Sequence, residues 1–91
     1  MTKEEALEIL KNSDLVASWT NAHNNETWRF KIGDLFAETP ECFSFIVYPY
    51  SNIVPLNLNY AFLFYVMKDN GFVVRADSPM TKREFKMAGK A

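Results

Sequence analysis

The sequence predicts an α+β fold: an N-terminal helix packed on a five-stranded antiparallel sheet, with a short C-terminal helix. Three observations carry that prediction. Thr2-Lys3-Glu4-Glu5 is a capping box that opens a helix-period apolar stripe. Residues 28–36 and 42–50 alternate with the period of two that marks strands. Asn70-Gly71 stands between two apolar runs, the strongest short-range signal of a β-hairpin.

The first helix is predicted over residues 3–12. The Thr2 hydroxyl can accept from the Glu5 N–H while Glu5 reaches back, and Glu4 and Glu5 suit the positive end of the helix dipole. Ala6, Leu7, Ile9 and Leu10 form the apolar stripe, with Glu8 and Lys11 outside it. A helix of about three turns is marginal alone, so it must pack on a sheet. A first strand is predicted over residues 15–22, carrying Val16 and Trp19, and a polar turn follows it. In the second strand, 28–36, Trp28, Phe30, Ile32 and Phe36 share one face while Arg29 and Lys31 take the wet one. Gly33-Asp34 reads as a bulge or turn inside that strand. In the third, 42–50, Phe43, Phe45 and Val47 face one way and Ile46, Tyr48 and Tyr50 the other. A strand apolar on both sides is either central and covered twice or part of an interface. Pro49 and Pro55 punctuate the Asn-rich connection 51–59.

The hairpin supplies strands 60–69 and 72–77. With Asn70 and Gly71 as the central residues of a two-residue type I′ turn, Met67 faces Val74 and Tyr65 faces Ala76, with Leu63 beyond. That face is nearly all apolar and is expected to meet the core. The opposite face pairs Lys68 with Val73, Val66 with Arg75 and Phe64 with Asp77, and ends on Phe62. A slip of one residue would exchange the faces. The competing reading, a buried helix over 56–68, is disfavoured by aromatic and β-branched enrichment and by the Asn-Gly stop. Ser78-Pro79 ends the sheet. A second capping box, Thr81-Lys82-Arg83-Glu84, predicts a helix over 82–88 with Gly89 as its stop.

A chain of 91 residues suits one domain, and 48% apolar residues with 15% aromatics are ample for a core. A single cysteine, Cys42, leaves no internal disulfide and no multi-cysteine zinc site. The net charge of −1 points to neither nucleic acid nor membrane, but it is unevenly spread. Residues 1–81 carry six Lys/Arg against ten Asp/Glu, and residues 82–91 carry four Lys/Arg against one Glu. The basic end reads as a solvated helix or as an arm for an acidic partner or nucleic acid. The N-terminus is polar and acidic without an apolar core of a signal peptide, so the expected compartment is the cytoplasm. The longest apolar run, residues 60–67, is too short to span a bilayer.

Little in the sequence points to catalysis. His23 stands among Asn24, Asn25 and Glu26, poor company for a metal, and no metal or other cofactor is expected. Cys42 opens an apolar strand with nothing basic beside it, which suits a structural thiol rather than a nucleophile. No phosphate-binding loop or nucleophile elbow occurs. The expectation is a non-enzymatic protein.

What remains is surface. Phe62, Phe64, Val66 and Val73, taken together with Ile46, Tyr48 and Tyr50, make the second sheet face more apolar than water requires. Either the terminal helix covers it through Phe85 and Met87, or it is a partner site. The candidate partner-binding residues are Tyr48, Tyr50, Phe62, Phe64, Arg75, Arg29 and Lys31. Tyr and Arg anchor interfaces through large area with few rotors or several donors. The leading expectation is a small protein–protein interaction module, an inhibitor or adaptor of bacterial or phage origin that occupies another protein's surface. A small-ligand or nucleotide binder with an aromatic pocket, at the sheet or at the seam of a homo-oligomer, is the alternative. Single-stranded nucleic acid stacked on the tyrosines, with Arg29, Lys31 and Arg75 meeting phosphates, comes third.

Overall fold

The computed structural model describes residues 1–81. The predicted helix over 82–88, with Phe85 and Met87, lies outside them. Helix α1 (Lys3–Lys11) forms where its capping box predicts. The Glu5 N–H donates to Thr2 Oγ1 at 3.2 Å, and the Thr2 N–H donates to Glu5 Oε1 at 3.1 Å. Ala6 and Leu10 are buried, and Leu7 and Ile9 flank them against the core.

The bond from the Thr2 backbone N–H, then the one with its hydroxyl, holds the Glu5 carboxyl below the usual glutamate range. A depressed carboxyl stabilises the fold above its unfolded pKa, and that contribution disappears as pH falls through the folded value. The difference in melting temperature between wild type and Glu5→Gln should therefore be present at neutral pH and close in acid, below about pH 4. A difference that persists unchanged in acid would show that the carboxylate charge plays no part.

The predicted strand over 15–22 is cut short. Ser13 Oγ accepts from the Leu15 N–H at 3.2 Å and caps a single 3₁₀ turn, Asp14–Val16. That turn lays Val16 against the core, so only β1 (Trp19–Asn21) remains extended. The polar turn after it is built by asparagines. Asn21 and Asn24 side chains accept from the His23 and Glu26 N–H groups, and Asn25 takes a left-handed φ of 56°.

Strands β2 (Glu26–Glu38), β3 (Cys42–Ser51), β4 (Tyr60–Met67) and β5 (Val73–Arg75) continue an antiparallel meander in the order β1-β2-β3-β4-β5. A two-residue strand, β6 (Met80–Thr81), pairs with the start of β4. It places Thr81 in a strand, not at the cap the sequence suggested. β3 is central, as two apolar faces require. Residues 60–67 are strand, which disposes of the helical reading of that run. The register of β2 on β3 shifts between Ile32 and Leu35 and again before Ala37, at the bulge Gly33-Asp34 signals. Because of it, Leu35 comes opposite Phe45 and packs on the core, the place the simple alternation gave to Phe36.

The β4–β5 hairpin differs from the predicted one. Phe64 pairs with Arg75, Tyr65 with Val74 and Val66 with Val73, two residues out from the expected register. The turn is a four-residue loop: the Gly71 N–H donates to the Met67 carbonyl at 2.9 Å, and the Met67 N–H to the Phe72 carbonyl at 2.8 Å. Gly71 has φ 72° while Asn70 stays out of the left-handed region, so a type I′ turn is not made. Asn70 instead uses its side chain, accepting from the Phe72 N–H at 2.9 Å. A Cβ on Gly71 would lie 3.5 Å from Ile9 Cδ1, an ordinary contact, so the cost of a side chain there comes from the backbone. Gly71→Val should lower stability by about 1–3 kcal/mol, read from the denaturation midpoint. An unchanged midpoint would mean that the loop does not need the left-handed residue.

A slip of two residues preserves faces, yet the core lies on the face opposite to the expected one. Val47 pairs with Phe62, Phe45 with Phe64 and Phe43 with Val66, and residues directly opposite share a face. α1 covers that side. The core therefore joins Ala6 and Leu10 to Phe43, Phe45, Val47, Phe64 and Val66, with Phe30, Ile32, Phe62 and Val73 around them. The Met67, Tyr65 and Leu63 set points away from the helix. Lys68 secures one end, pairing with Glu38 at 2.6 Å across β3 with its ammonium 4.8 Å from the centre of the Phe43 ring. Among the described residues, no helix is long and apolar enough to cross a membrane.

Candidate binding site on the outer sheet face

The alternation of β2 puts Arg29 and Lys31 on the side away from α1, and the register on β3 sets a tyrosine beside each. Arg29 is directly opposite Tyr50, and Lys31 directly opposite Tyr48. Both cations are exposed and both rings half-buried. Among the described residues neither cation has an ion-pair or hydrogen-bond partner; the ion pair seen is Lys68–Glu38. Tyr48 lies against β2 where Gly33 leaves room. A Cβ at Gly33 would come within 2.8 Å of Tyr48 Cε2 and 3.2 Å of the Ile46 carbonyl oxygen. Here the glycine is needed for close approach and not for its φ.

Charge at the paired strand positions differs between the two sides of the sheet, although the helix side also carries Arg75. Among the described residues, the carboxylates at paired strand positions are Glu26 and Glu38, and both share the helix side. Glu26 is occupied there, accepting from Trp28 Nε1 and from Ser51 Oγ, each at 3.0 Å. The outer side carries Arg29 and Lys31 at its paired positions, in a segment of net charge −4 over residues 1–81.

A shallow cavity of about 340 Å³, lined by Thr27, Arg29, Tyr50, Ser51 and Asn52, joins this block to the following connection. Asn52 is the hinge pin: its Oδ1 accepts from the Thr27 N–H at 2.9 Å and its Nδ2 donates to the Asn25 carbonyl at 3.3 Å. Beyond it, Ile53, Val54, Leu56 and Leu58 are between 40% and 59% exposed. Sequence reasoning treated residues 51–59 as an Asn-rich connection between strands. The available signal was four aliphatics in a stretch otherwise made of Ser, Asn and Pro.

The seven candidate residues divide. Tyr48, Tyr50, Arg29 and Lys31 come together on the outer face. Phe62, Phe64 and Arg75 do not join them, because β3 and β4 pair with Phe45 and Val47 opposite the two phenylalanines. Phe64 is fully buried under α1. Phe62 is half-buried at the core edge with the Arg75 guanidinium carbon 5.2 Å from its ring centre. Phe64 is core, and Phe62 with the exposed Arg75 lies on the helix side, so the expected single surface of seven residues is not formed.

His23 is exposed in the β1–β2 turn. The Cys42 sulfur lies 3.5 Å from the Thr39 hydroxyl at the start of β3. Among the described residues, no three of His, Cys, Asp and Glu are grouped to hold a metal. Comparison with protein-family models, curated proteins and solved structures finds no match to this chain.

Proposed function

We propose that this chain is a small non-enzymatic interaction module, an adaptor or inhibitor, that binds a partner protein through the outer face of β2 and β3. The observation that carries this reading is the two-by-two block of Arg29, Lys31, Tyr48 and Tyr50. Among the described residues, it sets cations without an ion-pair partner beside broad aromatic area on a face without a paired-position carboxylate. Arginine and tyrosine are the side chains on which interfaces concentrate their energy. Phosphates and bases would meet the same block, since tyrosines stack on any base and cations follow a backbone. The net negative charge of residues 1–81 weighs against that second reading.

The test is charge reversal at both cations. Arg29→Glu with Lys31→Glu should abolish capture of the wild type's partner from lysate and weaken binding of that purified partner by about 100-fold or more. Both side chains are exposed, so the fold should melt as wild type does. Undiminished binding would overturn the reading. Capture of single-stranded DNA in place of protein would favour the nucleic-acid alternative.

A further inference from the structure

We infer that the cavity beside Arg29 receives a carboxylate of the partner protein, with the Arg29 guanidinium as its counter-ion and the neutral groups around it as further donors. This rests on the outer-face reading above and names the partner's anchoring group.

The cavity holds about 340 Å³ between Thr27, Arg29, Tyr50, Ser51 and Asn52, and the hydrogen bonds already made there decide what it can still offer. Asn52 Oδ1 accepts from the Thr27 N–H at 2.9 Å, which fixes how the amide is turned. Its Nδ2 donates one hydrogen to the Asn25 carbonyl at 3.3 Å and keeps the other. The Thr27 and Thr20 hydroxyls lie 3.0 Å apart. The bond between them uses one of their two hydrogens, so the pair keeps a donor. Ser51 Oγ is fully engaged: it donates to Glu26 Oε2 at 3.0 Å and accepts from the Ile53 and Val54 N–H groups at 3.1 and 2.8 Å. Among the described residues, the Tyr50 hydroxyl and the Arg29 guanidinium have no hydrogen-bond or ion-pair partner. The lining thus combines a permanent cation with spare neutral donors and contains no carboxylate. Such a set is matched by an acceptor, and best by an anionic one.

The surroundings set the charge of that anion. The Glu26 carboxylate stands one hydrogen bond behind Ser51, and residues 1–81 carry a net charge of −4. A dianionic phosphate would have a single guanidinium to offset its repulsion from Glu26. A carboxylate brings one charge and two oxygens whose planar fork matches the guanidinium. A nucleic-acid backbone needs a row of cations, and Lys31 is not part of the lining. A protein carboxylate, from Asp, Glu or a chain terminus, is therefore the chemistry that fits. Asn52 is held in place by its two bonds before anything binds, so it loses little freedom on binding.

The probe is a library of random peptides with free C-termini, displayed against the immobilised full chain, with an oligo-dT strand run in parallel. Enriched peptides are remade with Gln or Asn for each Glu or Asp, and separately with the C-terminus amidated. One of these changes should weaken binding by about tenfold or more, and which one does so tells an acidic side chain from a chain terminus. Three variants locate the carboxylate: Arg29→Gln and Tyr50→Phe in the cavity, and Lys31→Gln outside it on the same face. The loss on neutralising the peptide should vanish in Arg29→Gln, shrink in Tyr50→Phe and remain in Lys31→Gln. All three should melt with wild type, since Arg29 and Lys31 are exposed and the Tyr50 ring is kept. A loss that persists in Arg29→Gln or vanishes in Lys31→Gln, or peptides that need no carboxylate, would overturn this inference. The outer-face reading then stands if either cation variant weakens the peptides. No enriched peptide, peptides insensitive to both cation variants, or binding of oligo-dT alone would overturn both.

Discussion

Phe64→Ala should leave a large share of the protein unfolded at ambient temperature. The side chain has no exposed surface and faces Phe45, itself 1% exposed, across the central strand pair. Around it lie Ala6 and Leu10 of α1 and Val66 of the same strand. Removing a buried phenylalanine costs about 3–5 kcal/mol, partly lost transfer energy and partly the cavity left behind. A small domain holds about 5–15 kcal/mol in total, and a chain of this size belongs near the lower end. The measurement is the midpoint of chemical denaturation. Phe64→Leu, which refills most of the volume, should lose clearly less. A midpoint unmoved by Phe64→Ala would return that ring to the surface and with it the expected binding role.

Tyr50→Ala should do the reverse, losing binding and keeping the fold. Tyr50 is half-buried, stands opposite Arg29 and lines the cavity that leads to Asn52. An aromatic anchor at the centre of an interface contributes about 2 kcal/mol, roughly 30-fold in affinity. Its removal should shift stability by no more than about 1 kcal/mol. A titration of the captured partner, beside a melting curve, separates the two effects. Early melting would make Tyr50 a structural ring. Unchanged affinity would move the anchor to Tyr48 or to the connection. Arg75, which stacks on Phe62 on the far side of the sheet, should be dispensable for binding.

Local chemistry was legible in the sequence, and pairing between distant strands was not. The capping box at Thr2 and Glu5, the alternation of β2 and β3, and the bulge at Gly33-Asp34 all depend on neighbours within a few residues. The face of β4 depends on whether Phe62 meets Val47 or Ile46, a register that the eight-residue connection 52–59 does not announce in its sequence. One parity decided whether Phe62 and Phe64 were interface or core. The hairpin failed more mildly: Gly71 was rightly the left-handed residue, but Asn70 bonded through its side chain, lengthening the turn by two. The binding block was half visible, because Arg29 with Lys31 and Tyr48 with Tyr50 each follow from period two. That the pairs would lie side by side needed the β2–β3 register.

The placement of Arg29 and Lys31 on the outer side bears on how fast a partner that docks there would arrive. Residues 1–81 carry a net charge of −4, and Glu4, Glu5 and Glu8 of α1 place part of it on the helix side. For a partner that docks on the outer face through carboxylates, as proposed, Arg29 and Lys31 would be the attractive part of the field it meets. Added salt would screen both fields, over a Debye length of about 8 Å at physiological ionic strength. For such a partner the association rate should vary with salt more than the lifetime of the complex does.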